Sequence, residues 1–336
     1  MIDQKMIRVQ KHPLADLWIY NYTEICQFAR CWNSVTMQCR GLILDGSGNV
    51  VARPFQKFFN YEELQPSDIP TDLPFEIFEK MDGSLGILYW IGDEPFITTR
   101  GSFSSDQAIH ASALVNKRFR ELRISKRDLI PNATYLFEII YPENRIVVDY
   151  GNEDNLYLLA VVDNESGKDY RRIPSIGFPV VKRYSIGEKS FSQLQEMNIN
   201  NAEGFVLRYD NGFRLKIKFE DYKRLHKVIS GLSNSVVWEH LLNDTIDELV
   251  KIVPDELYTW LSETIGTLTC KFTEIEMLCI KEYKPFENRR DAAEYYKTKT
   301  YPHILFKILD GKDYTKDIWK LVKPKFEKAI IGGTNE

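Results

Sequence analysis

The feature that most constrains the fold is a change in hydrophobic period along the 336 residues. Up to about Lys223, short apolar runs are separated by Gly, Asn, Asp and Pro turns, a spacing that predicts antiparallel hairpins. Beyond that point apolar residues recur every three to four positions, which predicts helices. We therefore expect an α+β fold. A domain of antiparallel sheets with flanking helices would span residues 1–224, and a small all-α C-terminal domain would span residues 225–336.

Individual helices can be placed from their end signals. A Ser-Ser-Asp cap signal predicts a helix over Ser104–Leu122. In the second part, apolar residues up to Leu278 predict a long helix that begins at Pro254, because proline is favoured in the first turn. A third apolar run, Ile318–Phe326, should break at Pro324.

The composition excludes several classes of protein. Hydrophobic content of 43% and charged content of 27% are typical of a globular protein. The longest apolar run, Leu156–Val162, is far shorter than a membrane span, so we expect no membrane partner. The N-terminal residues lack the apolar core of a signal peptide, which predicts a cytoplasmic protein. Five cysteines without a C-x-x-C pair predict free thiols in a reducing compartment.

Charge is distributed unevenly, although the net charge is only −4. Residues 231–280 contain 2 basic and 9 acidic residues, whereas residues 281–330 contain 13 basic and 8 acidic residues. The basic stretch could contact a phosphate backbone. Alternatively, the two stretches are helix faces of opposite charge that attract each other. The sequence leaves both interpretations open.

The segment Glu79-Lys80-Met81-Asp82-Gly83 is the most informative for chemistry. Strand-like FEIF precedes it and LGILYW follows it, so the Asp-Gly turn would leave Lys80 at a strand end that faces a cleft. A lysine is a nucleophile only when neutral, and the ordinary pKa of lysine is about 10.4. Burial or neighbouring positive charge lowers that value. Reactive chemistry at Lys80 would therefore require other cations nearby.

The last strand pair before the helical region supplies such cations. Asn211-Gly212 predicts a two-residue turn, which would pair Leu207 with Lys216. Because side chains alternate along a strand, Lys216 and Lys218 would share one face with Glu203. The alternative is a solvated lysine face with a salt bridge of less than ~1 kcal/mol.

Three further positions are candidates for a site. Glu138 lies in a strongly apolar strand and needs a partner, a metal or water; Arg145 across the next turn is the alternative partner. Gly41, after Arg40, would let the backbone approach a ligand closely. Lys57 could bind phosphate while an adjacent Phe stacks on a base, or it could be a surface lysine beside core aromatic residues.

Taken together, these segments resemble the covalent nucleotidyltransferase superfamily of ATP-dependent ligases, and most closely the phage-type RNA ligase 1 family. The resemblance covers about residues 35–225, and the family pattern has Lys where this chain has Arg100. The matching segments occur in the family's order: RG (40–41), ARPFQKFFN (52–60), KMDG (80–83), TTRGSFSS (98–105), LFEIIYPENRIV (136–147), EGFVLRY (203–209) and LKIK (215–218).

The resemblance implies a nucleotidyltransferase (ATP-grasp-like ligase) domain and a three-step reaction. Lys80 would attack the α-phosphate of ATP to give lysyl-AMP and pyrophosphate. AMP would then pass to the 5′-phosphate of an RNA end. Finally, the 3′-hydroxyl of another RNA end would expel AMP and seal the phosphodiester bond. No obligate protein partner is expected.

The resemblance also implies roles for individual residues. Lys216 and Lys218 would act beside Lys80 as catalytic residues, neutralising the α-phosphate and helping to keep Lys80 unprotonated. A hydrated Mg²⁺, or Mn²⁺ in its place, would be held by Asp82, Glu138 and Glu203. The expected nucleotide-binding set comprises Arg40 and Lys57 at the phosphate tail or ribose, Phe59 against the adenine, Glu79 at the adenine edge, and Lys80, Gly83, Arg100, Glu138, Glu203, Lys216 and Lys218.

The C-terminal region separates the members of this superfamily. DNA ligases and GTP-dependent capping guanylyltransferases carry a strand-rich OB-fold there, whereas the period here is helical. That favours the RNA ligase 1 branch, whose helical domain is linked to cleaved tRNA, so residues 225–336 could be an RNA-specificity domain for tRNA repair. A DNA ligase, a capping enzyme and a non-catalytic RNA-binding module remain the alternatives. Such ligases are often phage-encoded and would then act in the host cytoplasm.

Overall fold

A computed structural model describes residues 1–185, 191–253 and 257–329 of the chain. Within these ranges the strands are β1 (Ile7–Lys11), β2 (Leu17–Tyr22), β3 (Arg40–Asp45), β4 (Val50–Ala52), β5 (Phe59–Asn60), β6 (Phe75–Lys80), β7 (Ser84–Ile91), β8 (Glu94–Thr98), β9 (Ala133–Ile140), β10 (Asn155–Asp163), β11 (Arg183–Tyr184), β12 (Gly204–Tyr209) and β13 (Arg214–Lys218).

Helices occur between these strands, and seven further helices of the described residues follow β13. They are α1 (Glu24–Phe28), α2 (Ser34–Gln38), α3 (Asp106–Leu122), α4 (Phe191–Glu196), α5 (Glu220–Gly231), α6 (Asn234–Leu242), α7 (Ile246–Ile252), α8 (Tyr258–Glu282), α9 (Arg289–Tyr296), α10 (Pro302–Leu309) and α11 (Thr315–Leu321). The chain forms two compact units, Met1–Lys223 and Arg224–Glu336.

The first unit contains three sheets with the strand orders β1-β2-β3-β4, β10-β9-β7-β8 and β11-β6-β12-β13-β5. In the described part of the chain the paired strands are antiparallel, apart from the parallel pair β13–β5. Helices follow in the second unit, where the described residues form no strand longer than a single bridge. The predicted α+β class, with antiparallel sheets followed by an all-α region, is confirmed.

Helix α3 covers one face of the second sheet, close to the predicted range. The Ser105 hydroxyl accepts a hydrogen bond from the Ala108 N–H, which caps the first turn. Buried α3 residues such as Val115 and Phe119 then pack with Phe137 of β9. Burial of this apolar helix face anchors the sheet from which Glu138 projects.

The loop Met81–Gly83 connects two different sheets. It follows Lys80 at the end of β6, as predicted, and leads into β7 of the second sheet. The Asp-Gly pair is therefore a crossing between sheets and does not close a hairpin. Lys80 consequently lies at the junction of the two sheets.

The predicted register of the β12–β13 hairpin is wrong by one residue. Leu207 pairs with Leu215, because the loop contains three residues, Asp210–Gly212. Gly212 adopts φ +87°, the left-handed conformation that completes a three-residue hairpin loop. Both motif lysines nevertheless stay on one strand face, as the alternation requires.

The apolar segment after β9 forms no strand in the described residues around 145–150. The backbone N–H groups of Val147 and Val148 donate to the Asp82 carboxylate at 2.8 and 2.9 Å. A side chain thus satisfies amides that a neighbouring strand would otherwise bind. The partner of β9 is β10, which contains the long apolar run noted in the sequence.

The second unit has its own apolar core. The Trp238 indole donates to the Trp319 backbone oxygen at 2.6 Å, and α8 packs against α6 and α11. Pro254, the predicted start of the long helix, lies outside the described residues, and α8 spans Tyr258–Glu282. Helix α11 ends at Leu321, ahead of Pro324.

The cysteines and the lengths of the helices can be compared with the sequence predictions. All five cysteines are free thiols, as predicted. In the ranges that the structure describes, no helix combines the length and apolar character needed to span a bilayer.

Candidate active site

One buried carboxylate joins the two lysine-bearing strands. Glu203 Oε2 lies 2.6 Å from Lys80 Nζ, and Glu203 Oε1 lies 2.8 Å from Lys218 Nζ. The residue Glu203 is only 2% exposed. Gly204 pairs with Lys80 on one side and with Lys218 on the other, so both lysines share one sheet face. The structure therefore brings together the predicted nucleophile, one motif lysine and one motif carboxylate.

Glu203 reaches this face because it precedes the strand. Strict alternation in the observed register would direct its side chain to the opposite face. However, β12 begins at Gly204, which adopts φ +152°, and a Cβ there would overlap the backbone oxygen of Ile217. Only glycine fits this position, and the turn it allows brings the Glu203 carboxylate between the two lysines.

Lys216 lies at the centre of the positive charge. Burial is the main cause that lowers its pKa to about 6, and Arg40, Lys80, Lys57 and Lys218 lower it further. The Lys216 Nζ also lies 5.0 Å from the centroid of the Phe58 ring. At neutral pH the Lys216 amine is therefore largely uncharged.

The predicted nucleophile and Lys216 have different neighbours. We expected the surrounding cations to keep Lys80 unprotonated. Lys80 Nζ instead lies 2.6 Å from the Glu203 carboxylate, and the amine whose pKa is lowered by burial and by the surrounding cations is that of Lys216. The physical reason is that Lys80 has an adjacent carboxylate and Lys216 is surrounded by cations.

Two arginines, Arg40 and Arg100, add to the positive charge around these lysines. Burial lowers the pKa of Arg40, and its buried Nη1 has no hydrogen-bond partner. A buried, unpartnered guanidinium nitrogen suits an anionic ligand such as phosphate. Arg100 Nη1 donates to the Tyr22 hydroxyl at 3.0 Å. Gly41 lies against the Arg100 backbone, so its missing side chain allows close packing of β3 on this segment and not the ligand contact we expected.

Glu138 faces Lys80 from the second sheet. Burial raises the pKa of Glu138 to about 7, Lys80 opposes this shift, and Glu203 adds to it. Its Oε1 accepts a hydrogen bond from the Gly83 N–H at 3.0 Å. A Cβ on Gly83 would overlap the backbone of Ile139, so glycine is required for this contact. Arg145, the alternative partner, contacts Asp149 at 3.1 Å.

The structure gives Asp82 a different role from the metal ligand that we expected. Its carboxylate is buried and accepts hydrogen bonds from Val147, Val148 and the Tyr222 hydroxyl, the last at 2.7 Å. These donors occupy the oxygens that a metal would need. Asp82 therefore fixes the loop that carries Lys80.

The three predicted acids do not form one metal cage. Across the described ranges, no group of three or more His, Cys, Asp or Glu side chains is arranged to hold a metal ion. Glu203 is occupied by two lysines, which leaves Glu138 as the predicted acid that could hold a hydrated Mg²⁺. This fits an ion that retains several waters and binds substrate phosphates together with one or two carboxylates.

A cavity of about 630 Å³ opens beside Lys80. Its aromatic side chains are Phe55, Phe58 and Phe78, whereas the predicted adenine contact Phe59 is not in the lining. Phe59 instead lies 5.2 Å from Lys57 Nζ and packs against Trp32. Of the predicted site residues, the cavity is lined by Arg40, Glu79, Lys80, Gly83, Arg100 and Glu138.

Glu79 is one of the charged residues that line this cavity. Its backbone N–H donates to the Lys182 oxygen at 2.9 Å. Burial raises the pKa of Glu79, and Lys182 opposes that shift. Phe78 was missed by the sequence reasoning, although its position two residues before Lys80 on β6 places it on the same face.

Residues 38–222, more than half of the chain, match a protein-family model described as RNA ligase. The chain therefore belongs to the RNA ligase family.

The chain is also similar to individual proteins. The chain is 27% identical over 281 residues to a "putative bifunctional polynucleotide kinase/RNA ligase" of Autographa californica nuclear polyhedrosis virus, covering 76% of this chain but only 40% of that protein. It is 24% identical to an RNA ligase of Rhodothermus phage RM378, covering 94% of this chain and 90% of that protein. A solved Naegleria gruberi RNA ligase mutant with AMP and Mn is 18% identical, with a TM-score of 0.39 and coverage of 51% and 57%.

The family assignment confirms the resemblance stated from the sequence. Membership favours an RNA ligase over a DNA ligase, a capping enzyme or a non-catalytic module. The roles of individual residues remain predictions.

The lowered pKa of Lys216 gives a prediction for anion binding. At pH 8 the free protein holds this amine neutral, and a bound polyanion would raise its pKa. Inorganic pyrophosphate binding without metal should therefore take up about one proton more in the wild type than in Lys216→Met, because the titration of pyrophosphate itself is common to both. Calorimetry in buffers of different ionisation enthalpy measures this uptake. Equal proton uptake by the two proteins would contradict the assignment.

Proposed function

We propose that the protein is an ATP-dependent RNA ligase that joins 5′-phosphate and 3′-hydroxyl RNA ends through lysyl-AMP and adenylylated RNA. The observation that carries this proposal is the bridge from Glu203 to Lys80 and Lys218, beside a cavity with unpartnered positive charge. Family membership supports the same conclusion.

In the first step, the Lys80 amine attacks the α-phosphorus of ATP. A P–N bond forms, the bond to the bridging oxygen breaks, and pyrophosphate leaves with that electron pair. Before attack, the amine must lose a proton, and Glu203 Oε2 at 2.6 Å is placed to accept it. Lys218, bound to the other Glu203 oxygen, is placed to stabilise charge that develops on the phosphate.

The charge of the Lys216 amine would change when the nucleotide binds. In the free protein its amine is largely neutral, which avoids a further unpaired cation in a buried cluster. Arrival of the phosphates would favour the ammonium form, so Lys216 would become charged when the anion is present. The unpartnered Nη1 of Arg40 would donate to the same anion.

The remaining pocket residues suit the base and the metal. Phe78 and Phe58 offer apolar faces to an adenine, and Glu79 offers its side chain to the base edge. Glu138 would hold a hydrated Mg²⁺ or Mn²⁺, which supplies neutralisation of phosphate charge when bound. Because the pKa of Glu138 is about 7, it would be mostly ionised only above neutral pH.

The proposal is tested by labelling the protein with α-³²P ATP and Mg²⁺. Wild-type protein should gain a covalent label that is stable to base and labile to acid, the behaviour of a P–N bond. Lys80→Ala should carry only background label. Lys117→Ala, which removes an exposed lysine of α3, should label like the wild type. Thermal melting of each variant checks that it is folded.

Three outcomes would change the assignment. Label on Lys80→Ala would place the nucleophile elsewhere. Label from GTP and not from ATP would indicate a capping guanylyltransferase. Sealing of DNA ends but not RNA ends by a labelled protein would indicate a DNA ligase.

We further propose that the helical unit directs the enzyme to cleaved tRNA in the cytoplasm, or in the host cytoplasm if the gene belongs to a phage. The support is the basic composition of residues 281–330. Lys281, Arg290 and Lys297 are exposed there and could contact phosphates.

Reversing these three charges to Glu in the full chain should reduce sealing of nicked tRNA about tenfold or more, while sealing of a short single-stranded RNA changes little. A matched control reverses Lys117, Arg120 and Arg127, which are exposed on the first unit. Competition between the two RNA substrates gives the preference directly. An unchanged preference for tRNA in the first variant would refute the specificity proposal while leaving the ligase proposal intact.

A further inference from the structure

Tyr22 is a buried aromatic residue at the end of β2, ahead of the segment that matches the RNA ligase family. Its hydroxyl accepts a hydrogen bond from Arg100 Nη1 at 3.0 Å, and the Arg100 guanidinium carbon lies 5.1 Å from its ring centroid. The Lys57 Nζ lies 5.7 Å from the same centroid. One side chain thus contacts two of the cations that the motifs single out.

Tyr22 also acts on a third cation. Burial lowers the pKa of Arg40, and the neighbouring Tyr22 is among the groups that oppose this shift. The residue before Tyr22, Asn21, pairs with Arg40 across β2 and β3. Arg40, Lys57 and Arg100 come from three separate segments of the chain; Tyr22 contacts Lys57 and Arg100 and neighbours Arg40.

The ring itself is held firmly in place. The Tyr22 N–H donates to the Cys39 oxygen at 2.6 Å, which fixes the backbone. Trp32 packs edge-on against the ring with centroids 5.0 Å apart, and Lys57 Nζ lies 5.2 Å from the Trp32 ring. Lys57 therefore lies in an aromatic enclosure formed by Tyr22, Trp32 and Phe59.

Aromatic partners orient cations without neutralising them. A ring attracts a cation through its quadrupole, and a phenol oxygen accepts a hydrogen bond while remaining neutral. A carboxylate partner would cancel the charge and compete with phosphate. The contrast is visible in the same unit, where Arg208 is paired with Glu76 and Asp169. At Tyr22, the positive charge stays available to a ligand.

We propose that Tyr22 is a positioning residue that sets the geometry of Arg40, Lys57 and Arg100 for the outer phosphates of ATP. This inference rests on the proposed function, since it assigns the cluster to the triphosphate of that substrate. It predicts that Tyr22 matters for the step that uses ATP and not for the step that seals an RNA already carrying AMP.

The test compares Tyr22→Phe with Tyr20→Phe on the same strand. Tyr22→Phe keeps the ring and removes only the hydroxyl that Arg100 contacts. The KM for ATP in lysyl-AMP formation should rise about tenfold, in line with the loss of a hydrogen bond to a charged group, with kcat within about twofold of wild type. Pyrophosphate binding should weaken by a similar factor. Tyr20→Phe should match the wild type in both measurements.

Two further variants separate the hydroxyl from the ring. Tyr22→Leu also removes the ring that faces Lys57, so its KM should exceed that of Tyr22→Phe. In an Arg100→Met background, Tyr22→Phe should have little additional effect, because the partner of the hydroxyl is already gone. Additive effects in this double-mutant cycle would contradict the positioning role.

Sealing of pre-adenylated RNA distinguishes positioning from a loss of fold. Tyr22→Phe should seal this substrate at close to the wild-type rate. An equal loss of both activities, or an unchanged KM for ATP, would overturn the inference. If the wild-type protein itself forms no lysyl-AMP, the proposed function fails; if it does and only the Tyr22 effects are missing, this inference alone fails.

Discussion

The ion-paired Glu203 carboxylate is the interaction on which the rest of the site depends. A buried carboxylate is costly unless it is paired, and here two lysines from neighbouring strands satisfy it. The same contacts hold the amine of Lys80 beside the cavity and on the same sheet face as Lys218. Gly204 makes this possible, since any side chain there would collide with the adjacent strand. The Glu203 carboxylate is therefore both a structural ion-pair partner and the candidate proton acceptor.

The rest of the site consists of basic side chains that have no carboxylate partner. Lys216, surrounded by cations, has a pKa of about 6, and Arg40 has a buried nitrogen without a partner. Arg100 is held by a tyrosine. A site of this kind is incomplete until a polyanion arrives. The unpaired cations repel one another in the free protein. Binding of the nucleotide phosphates relieves this repulsion, which contributes to the binding free energy.

Much of this could be predicted from the sequence, because period and turn residues act locally. The switch from strands to helices, Lys80 at a strand end and the shared face of two lysines all follow from short-range patterns. The hairpin register could not be predicted, since a three-residue loop with Gly212 resembles a two-residue Asn-Gly turn. The true partners of Asp82 and Arg100 were also missed. Val147 lies 65 residues from Asp82, and Tyr22 lies 78 residues from Arg100, so only the tertiary fold brings them together.

The most direct test of this account is a pH titration of the lysine side chains by NMR, with ¹³C-labelled lysine in the nucleotide-free protein. The account predicts one lysine that titrates near pH 6, is missing in Lys216→Met, and shifts to higher pH when pyrophosphate is added. A titration in which every lysine changes near the ordinary value of about 10.4 would contradict it. In that case burial and the neighbouring cations would not lower the pKa of Lys216.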